Sequence, residues 1–172
     1  MLVHYILAFF TGVLVKTVDW LDDDIKSKHP IKFVLAALYG LGIGYLISNA
    51  SFAMLFLGVL VAMVFARKID TLAHRLGFLV ASLSLLFFGL PEIVIYLFVY
   101  FLLLGFLDEI DFIGRWRLLE TYRPLLQIGS LALVLIGRWD FFFSIIAFDI
   151  GYLTISFHGK RFQKHKKIKK KR

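Results

Sequence analysis

Carboxylates are the residues of this 172-residue chain whose types and spacing could do chemistry. Asp19, Asp22 and Asp23 stand at i, i+3 and i+4, so a helix continuing through them would carry three acids on one face, with Asp24 turned away. Like charges so placed repel one another unless a proton, a cation or a metal neutralises them, and an all-oxygen ligand set suits Mg²⁺ or Mn²⁺. Asp108 and Asp111 repeat the i, i+3 spacing, with Glu109 displaced by roughly 100° on a helix. Asp70 shares a helical face with His74, and Arg67 lies one turn earlier on that face. The candidate metal ligands are therefore Asp19, Asp22, Asp23, Asp70, Asp108 and Asp111. Each also has a plainer reading, as a solvated helix end screened by cations such as Lys16, Lys26 and Lys28, or as one half of an Arg67/Asp70 ion pair.

Asp149 poses a different problem. It stands in Phe148-Asp149-Ile150-Gly151-Tyr152, about halfway along an apolar stretch, where a carboxylate is costly unless protonated or paired. It is a candidate for function or for a hydrogen bond to Tyr152, Gln127 or a hydroxyl such as Ser130. Lys16 and Arg123 are the cations best placed to extend toward it from helix ends. Asp149, Lys16, Arg67, Arg123 and His74 are the candidates for catalytic work. Glu92, after Pro91, reads as a helix-start carboxylate.

The elements that must position these groups are membrane helices. At 60% hydrophobic residues and 19% charged, the chain has too little polar surface to cover a soluble globule. The fold class expected is all-α, a polytopic bundle of about seven short transmembrane helices. The apolar segments lie near Leu2 to Val18, Ile31 to Ile47, Phe52 to Ala66, Leu72 to Gly89, Glu92 to Leu107, Pro124 to Ile136 and Phe141 to Phe157. Most are somewhat shorter than a bilayer needs, so the assignment leans on charge. With seven spans, nineteen of the twenty Lys and Arg residues fall on one side; Arg138 is the exception. Basic loops are retained in the cytoplasm, which places the N-terminus outside and the C-terminus inside. The expected location is a prokaryotic cytoplasmic membrane.

Two regions are expected, a bundle over residues 1–157 and a polybasic tail over 158–172. The bundle includes an interfacial helix over about 110–122, where Phe112, Trp116 and Leu119 recur at i, i+4 and i+7. The formal charge of +8 comes largely from the tail, whose stretch Lys160 to Arg172 holds nine cations. Anionic lipid headgroups are its expected partners, and nucleic acid is not favoured because no aromatic stacking pattern accompanies the charge. An oligomer or another membrane protein is a further possible partner. With no cysteine there is no disulfide or thiolate site. In the second helix, Gly40 and Gly44 have the small-xxx-small spacing of closely packed helices.

Asp19-Trp20-Leu21-Asp22-Asp23 resembles the start of the aspartate motifs of CDP-alcohol phosphotransferases and intramembrane prenyltransferases, both of which hold a diphosphate through Mg²⁺. The later Gly, Ala-Arg and D-x-x-x-D elements of the first family do not follow, and no Asn-Asp pair opens the motif of the second. No residue role therefore carries over. Three functions stay open: an Mg²⁺- or Mn²⁺-dependent enzyme acting on a diphosphate-bearing lipid at an acidic cytoplasmic mouth; a small ion- or proton-coupled transporter or channel using Asp149; and an accessory membrane subunit.

Overall fold

In a computed structural model of the chain, residues 1–25, 29–110 and 124–170 are described, with the side chains of residues 23, 24 and 158–170 outside that description. The described residues form α1 (Leu2–Asp19), a short π-helical turn (Trp20–Asp24), α2 (Ile31–Ser48), α3 (Ala53–Phe65), α4 (Leu72–Phe88), α5 (Ile95–Glu109), α6 (Pro124–Val134) and α7 (Trp139–Lys170), with no strand among them. Three segments, Leu2–Asp22, Ile31–Ser48 and Trp139–Phe157, are long and apolar enough to cross a membrane, and α3, α4 and α6 are shorter apolar helices. The interfacial helix expected over 110–122 falls almost wholly outside the described residues, as do Asp111 and Arg123.

The last helix runs farther than its apolar stretch. It continues through the basic residues to Lys170 without a break at residue 157. Lys, Arg and Gln are good helix formers, and a lone Gly159 does not outweigh them.

Packing is pairwise. α1 lies along α7, α2 along α4 and α3 along α5, and these pairs are joined through α1–α2, α6–α7 and α5–α6 contacts. Small residues set two of the crossings. A side chain on Gly12 would run into the Phe148 carbonyl, and one on Gly151 into the Phe9 carbonyl, so α1 and α7 touch backbone to backbone. Likewise Gly40 lies against the Gly77 carbonyl, and Gly44 against Ser84. In an apolar surrounding, where helices gain little from hiding hydrophobic surface, such close approach supplies the van der Waals contact that holds them.

The two ends of the bundle differ. At one, His4 stacks on Tyr45 and Phe52 and its Nε2 meets Asn49 Nδ2 at 3.1 Å. Arg138 and Asp140 are paired there too, around a hollow that Met1, Ala50 and Ser51 also line. At the other end Asp19, Asp22, Lys32 and His74 come together. Between the ends the core is aromatic and aliphatic: Phe52, Phe101 and Phe141 are fully buried, and the last two pack edge to face at 4.8 Å. Large apolar side chains also cover the exterior, among them Phe87 and Leu135 at 86% and 89% exposure. Such an exterior is compatible with an apolar surrounding.

Candidate functional site

The α1–α7 crossing at Gly12 and Gly151 delivers Lys16 and Tyr152 to each other, since Lys16 is one turn beyond Gly12 and Tyr152 adjoins Gly151. Lys16 Nζ donates to Tyr152 Oη at 3.2 Å and lies 4.8 Å from the centre of its ring. Tyr152 in turn donates to Asp19 Oδ2 at 2.9 Å, and Lys16 reaches the same oxygen at 3.4 Å. The α2–α4 crossing does the same for Tyr39 and His74. Gly77 carries no side chain where the end of the Tyr39 ring must sit, and Tyr39 Oη is 3.0 Å from His74 Nδ1. The start of α4 is fixed one turn before His74 by Thr71, whose hydroxyl accepts from the His74 amide at 3.3 Å.

His74 joins the two halves. Its Nε2 lies 3.0 Å from Asp19 Oδ1, completing a chain that runs Tyr39, His74, Asp19, Tyr152 and Lys16 across α2, α4, α1 and α7. Asp19 Oδ1 and Oδ2 are thus both engaged. Asp22 sits in the π-helical turn, whose wider pitch alters the spacing at which side chains share a face. Its Oδ1 pairs with Lys32, and its side chain is 7% exposed. Asp22 Oδ2 is buried and accepts no hydrogen bond among the described residues.

An apolar cavity of about 110 Å³ adjoins this network. Ile43 of α2, Leu55, Phe56, Val59 and Leu60 of α3, Phe78 of α4 and Phe148 of α7 are among its walls. Tyr39 and His74 also line it, the only polar side chains among the described lining residues, so cavity and hydrogen-bonded chain share these two groups.

The remaining candidates are dispersed. Asp108 is a structural cap: its two oxygens accept from the Leu125 and Leu126 amides at 3.0 and 2.7 Å, satisfying the first turn of α6. Asp70 Oδ1 accepts from the Thr71 amide at 2.9 Å, and with Arg67 and Lys68 it lines a separate polar hollow beside Glu109. Arg67 closes α3 in the left-handed conformation, φ +57°. Asp149 accepts from Gln127 Nε2 at 2.7 Å, joining α7 to α6. Lys16, expected to reach toward Asp149, is held by Asp19 and Tyr152 instead. Among the described residues no three His, Asp or Glu side chains are grouped as a metal site requires. A divalent ion at Asp19 and Asp22 would have to displace Lys16, His74 and Lys32 from them.

No family model, curated protein or solved structure matches this chain. The site therefore has to be read from its own chemistry.

Residue spacing flagged Lys16, Asp19, Asp22 and His74 but missed Tyr39, Tyr152 and Lys32 as their partners. The signal was faint yet present. Lys32 and Tyr39 are seven residues apart, two turns on one face of α2, and Tyr152 follows Asp149 by one turn on α7. Tyrosine in an apolar helix reads first as an amphipathic packing residue, so only the neighbour across the crossing reveals what its hydroxyl does.

Proposed function

We propose that this protein is an integral membrane protein that binds a lipid-like amphiphile, with the first carbons of its chain in the apolar cavity and the headgroup at Tyr39 and His74. The single observation that carries this reading is the cavity wall: its described lining is apolar except for Tyr39 and His74, which belong to the hydrogen-bonded chain. An apolar cavity gains nothing from ordered water, whereas an alkyl or isoprenoid chain gains the contacts its walls otherwise lack. The chain enters from the bilayer between α3 and α4, which pack respectively on α5 and α2 rather than extensively on each other. The short helices α3, α4, α5 and α6 span a locally thinned bilayer, giving seven spans with the N-terminus outside. The Asp19 end then faces the cytoplasm of a prokaryotic cell, and the tail beyond residue 157 rests on anionic headgroups.

The test is photolabelling of the full chain in liposomes with sixteen-carbon probes bearing a diazirine within the first few carbons and one of several headgroups. Insertion is expected at cavity residues such as Val59, Leu60 and Phe78 with at least one headgroup. It should be lost in both V59F and V15F, which fill the cavity from α3 and α1. Insertion confined to outward residues such as Phe87 and Leu135, equal in wild type and variants, removes the reading.

A further inference from the structure

A second hollow, of about 670 Å³, lies at the end of the bundle away from Asp19 and is within the size range of small-molecule sites. Three stretches distant in sequence build it: Tyr5 on α1, Ser51 in the turn between α2 and α3, and Arg138, Trp139, Asp140 and Phe143 around the start of α7. These parts are held in place. Gly137, at φ +82°, and the Arg138 amide, which donates to the Leu133 carbonyl at 3.1 Å, close α6 and set the turn. Tyr5 packs edge to face on both Phe52 and Phe143. Trp139 stacks on Phe143 with ring centres 5.9 Å apart, and it is half exposed, which leaves indole surface open to the hollow. Arg138 donates from Nε and Nη2 to the two oxygens of Asp140 at 3.1 and 2.9 Å, with its guanidinium 4.1 Å from the centre of the Phe141 ring. That pair keeps hydrogen-bonding capacity. The guanidinium has further N–H groups and each carboxylate oxygen a further lone pair, so donors and acceptors stand side by side next to an aromatic plane.

We propose that this hollow binds a saccharide. A pyranose ring has a face of C–H groups that lies on an electron-rich indole, and a rim of hydroxyls, each both donor and acceptor. Neighbouring hydroxyls bridge Arg138 and Asp140 without parting them, and Ser51 brings a further hydroxyl to the same hollow. A phosphate or an ammonium would instead draw one ion of the pair off the other. Two sources share this chemistry, a free oligosaccharide and the headgroup of a glycolipid. The site is separate from the apolar cavity and stands independently of the amphiphile reading.

The experiment is saturation-transfer NMR on the full chain in phosphatidylglycerol nanodiscs. The probes are a panel of hexose and N-acetylhexosamine disaccharides, each offered free and as its dodecyl glycoside. At least one is expected to receive saturation, strongest at the C–H protons of one ring face. Its apparent affinity is expected to fall about tenfold in W139A and in D140A, the scale of one stacked ring or one charge-assisted hydrogen bond. W139F keeps an aromatic plane and is expected to keep the signal, and elution of each variant as the wild-type species shows that it is folded. A W139A-sensitive signal on the free disaccharide assigns a soluble glycan, and one confined to the dodecyl form assigns a glycolipid headgroup. A signal that W139A or D140A leaves unchanged overturns the proposal, as does a panel in which no sugar gives a W139A-sensitive signal. Displacement of the sugar by phosphocholine or glycerol phosphate at the sugar's own concentration overturns it equally.

Discussion

Asp19 gathers three partners from three helices, and its worth to the fold is the energy of leaving those partners alone. In Asp19→Ala the Lys16 ammonium and the His74 ring lose their carboxylate in a largely desolvated place. The variant is expected to lose about 2 kcal/mol, less than a fully buried pair because each side chain keeps some exposure. Unfolding in mixed micelles measures it, and Lys16→Met combined with Asp19→Leu should recover part of the loss, since it removes the unpaired ammonium and leaves only His74 and Tyr152 without their acceptor. Asp108 makes the opposite case, a candidate metal ligand whose oxygens cap α6. Asp108→Ala is expected to cost about 1 to 2 kcal/mol and to speed amide exchange at Leu125 and Leu126, with no change in photolabelling at the cavity. Altered labelling there would tie Asp108 to the site after all.

Helix ends and crossings decide where those residues meet. α3 stops in a hydrogen-bond pattern in which Arg67 N reaches Val64 O at 3.1 Å and Lys68 N reaches Met63 O at 3.0 Å, which requires positive φ at Arg67. Gly137 occupies the same place after α6 at φ +82°, where glycine is free of the strain. Arg67→Gly is therefore expected to stabilise the protein by about 0.5 kcal/mol, a small net gain because glycine also loosens the unfolded chain. A loss of stability would show that the Arg67 side chain does more than close a helix. At the α1–α7 crossing the sign reverses: Gly151→Ala drives a methyl into the Phe9 carbonyl and is expected to cost about 2 kcal/mol. It should also part Lys16 from Tyr152. The Gly40/Gly44 spacing was legible along the sequence as a close-packing signal, and α4 is the helix it receives. Which helix that would be was not legible, because a small residue says only that something approaches.

At the scale of the whole molecule, the charge pattern and the fold bear on each other. The absence of cysteine from the chain makes single-cysteine labelling clean. A cysteine at Ser51 is expected to react with an impermeant maleimide in intact cells, and one at Lys160 only after the membrane is opened; the reverse pattern would invert the proposed orientation. Helix positions were legible because apolar runs interrupted by charge leave few other choices in lipid. Candidate residues at the charged end were legible for the same reason, since ionisable groups in a sparse sequence stand out. Their partners were not. Hydrogen bonds such as Tyr152 to Asp19, 133 positions apart, depend on which helices cross and at what depth. The sequence by itself determined an all-helical chain with charge gathered at particular helix ends, because hydrophobicity and spacing act locally along the chain. Only the tertiary structure decided that Asp19 and Asp22 face lysines, histidine and tyrosine rather than one another, and that an apolar cavity shares Tyr39 and His74 with them. Pairing and enclosure are properties of surfaces brought together from distant parts of the chain, and no local pattern encodes them.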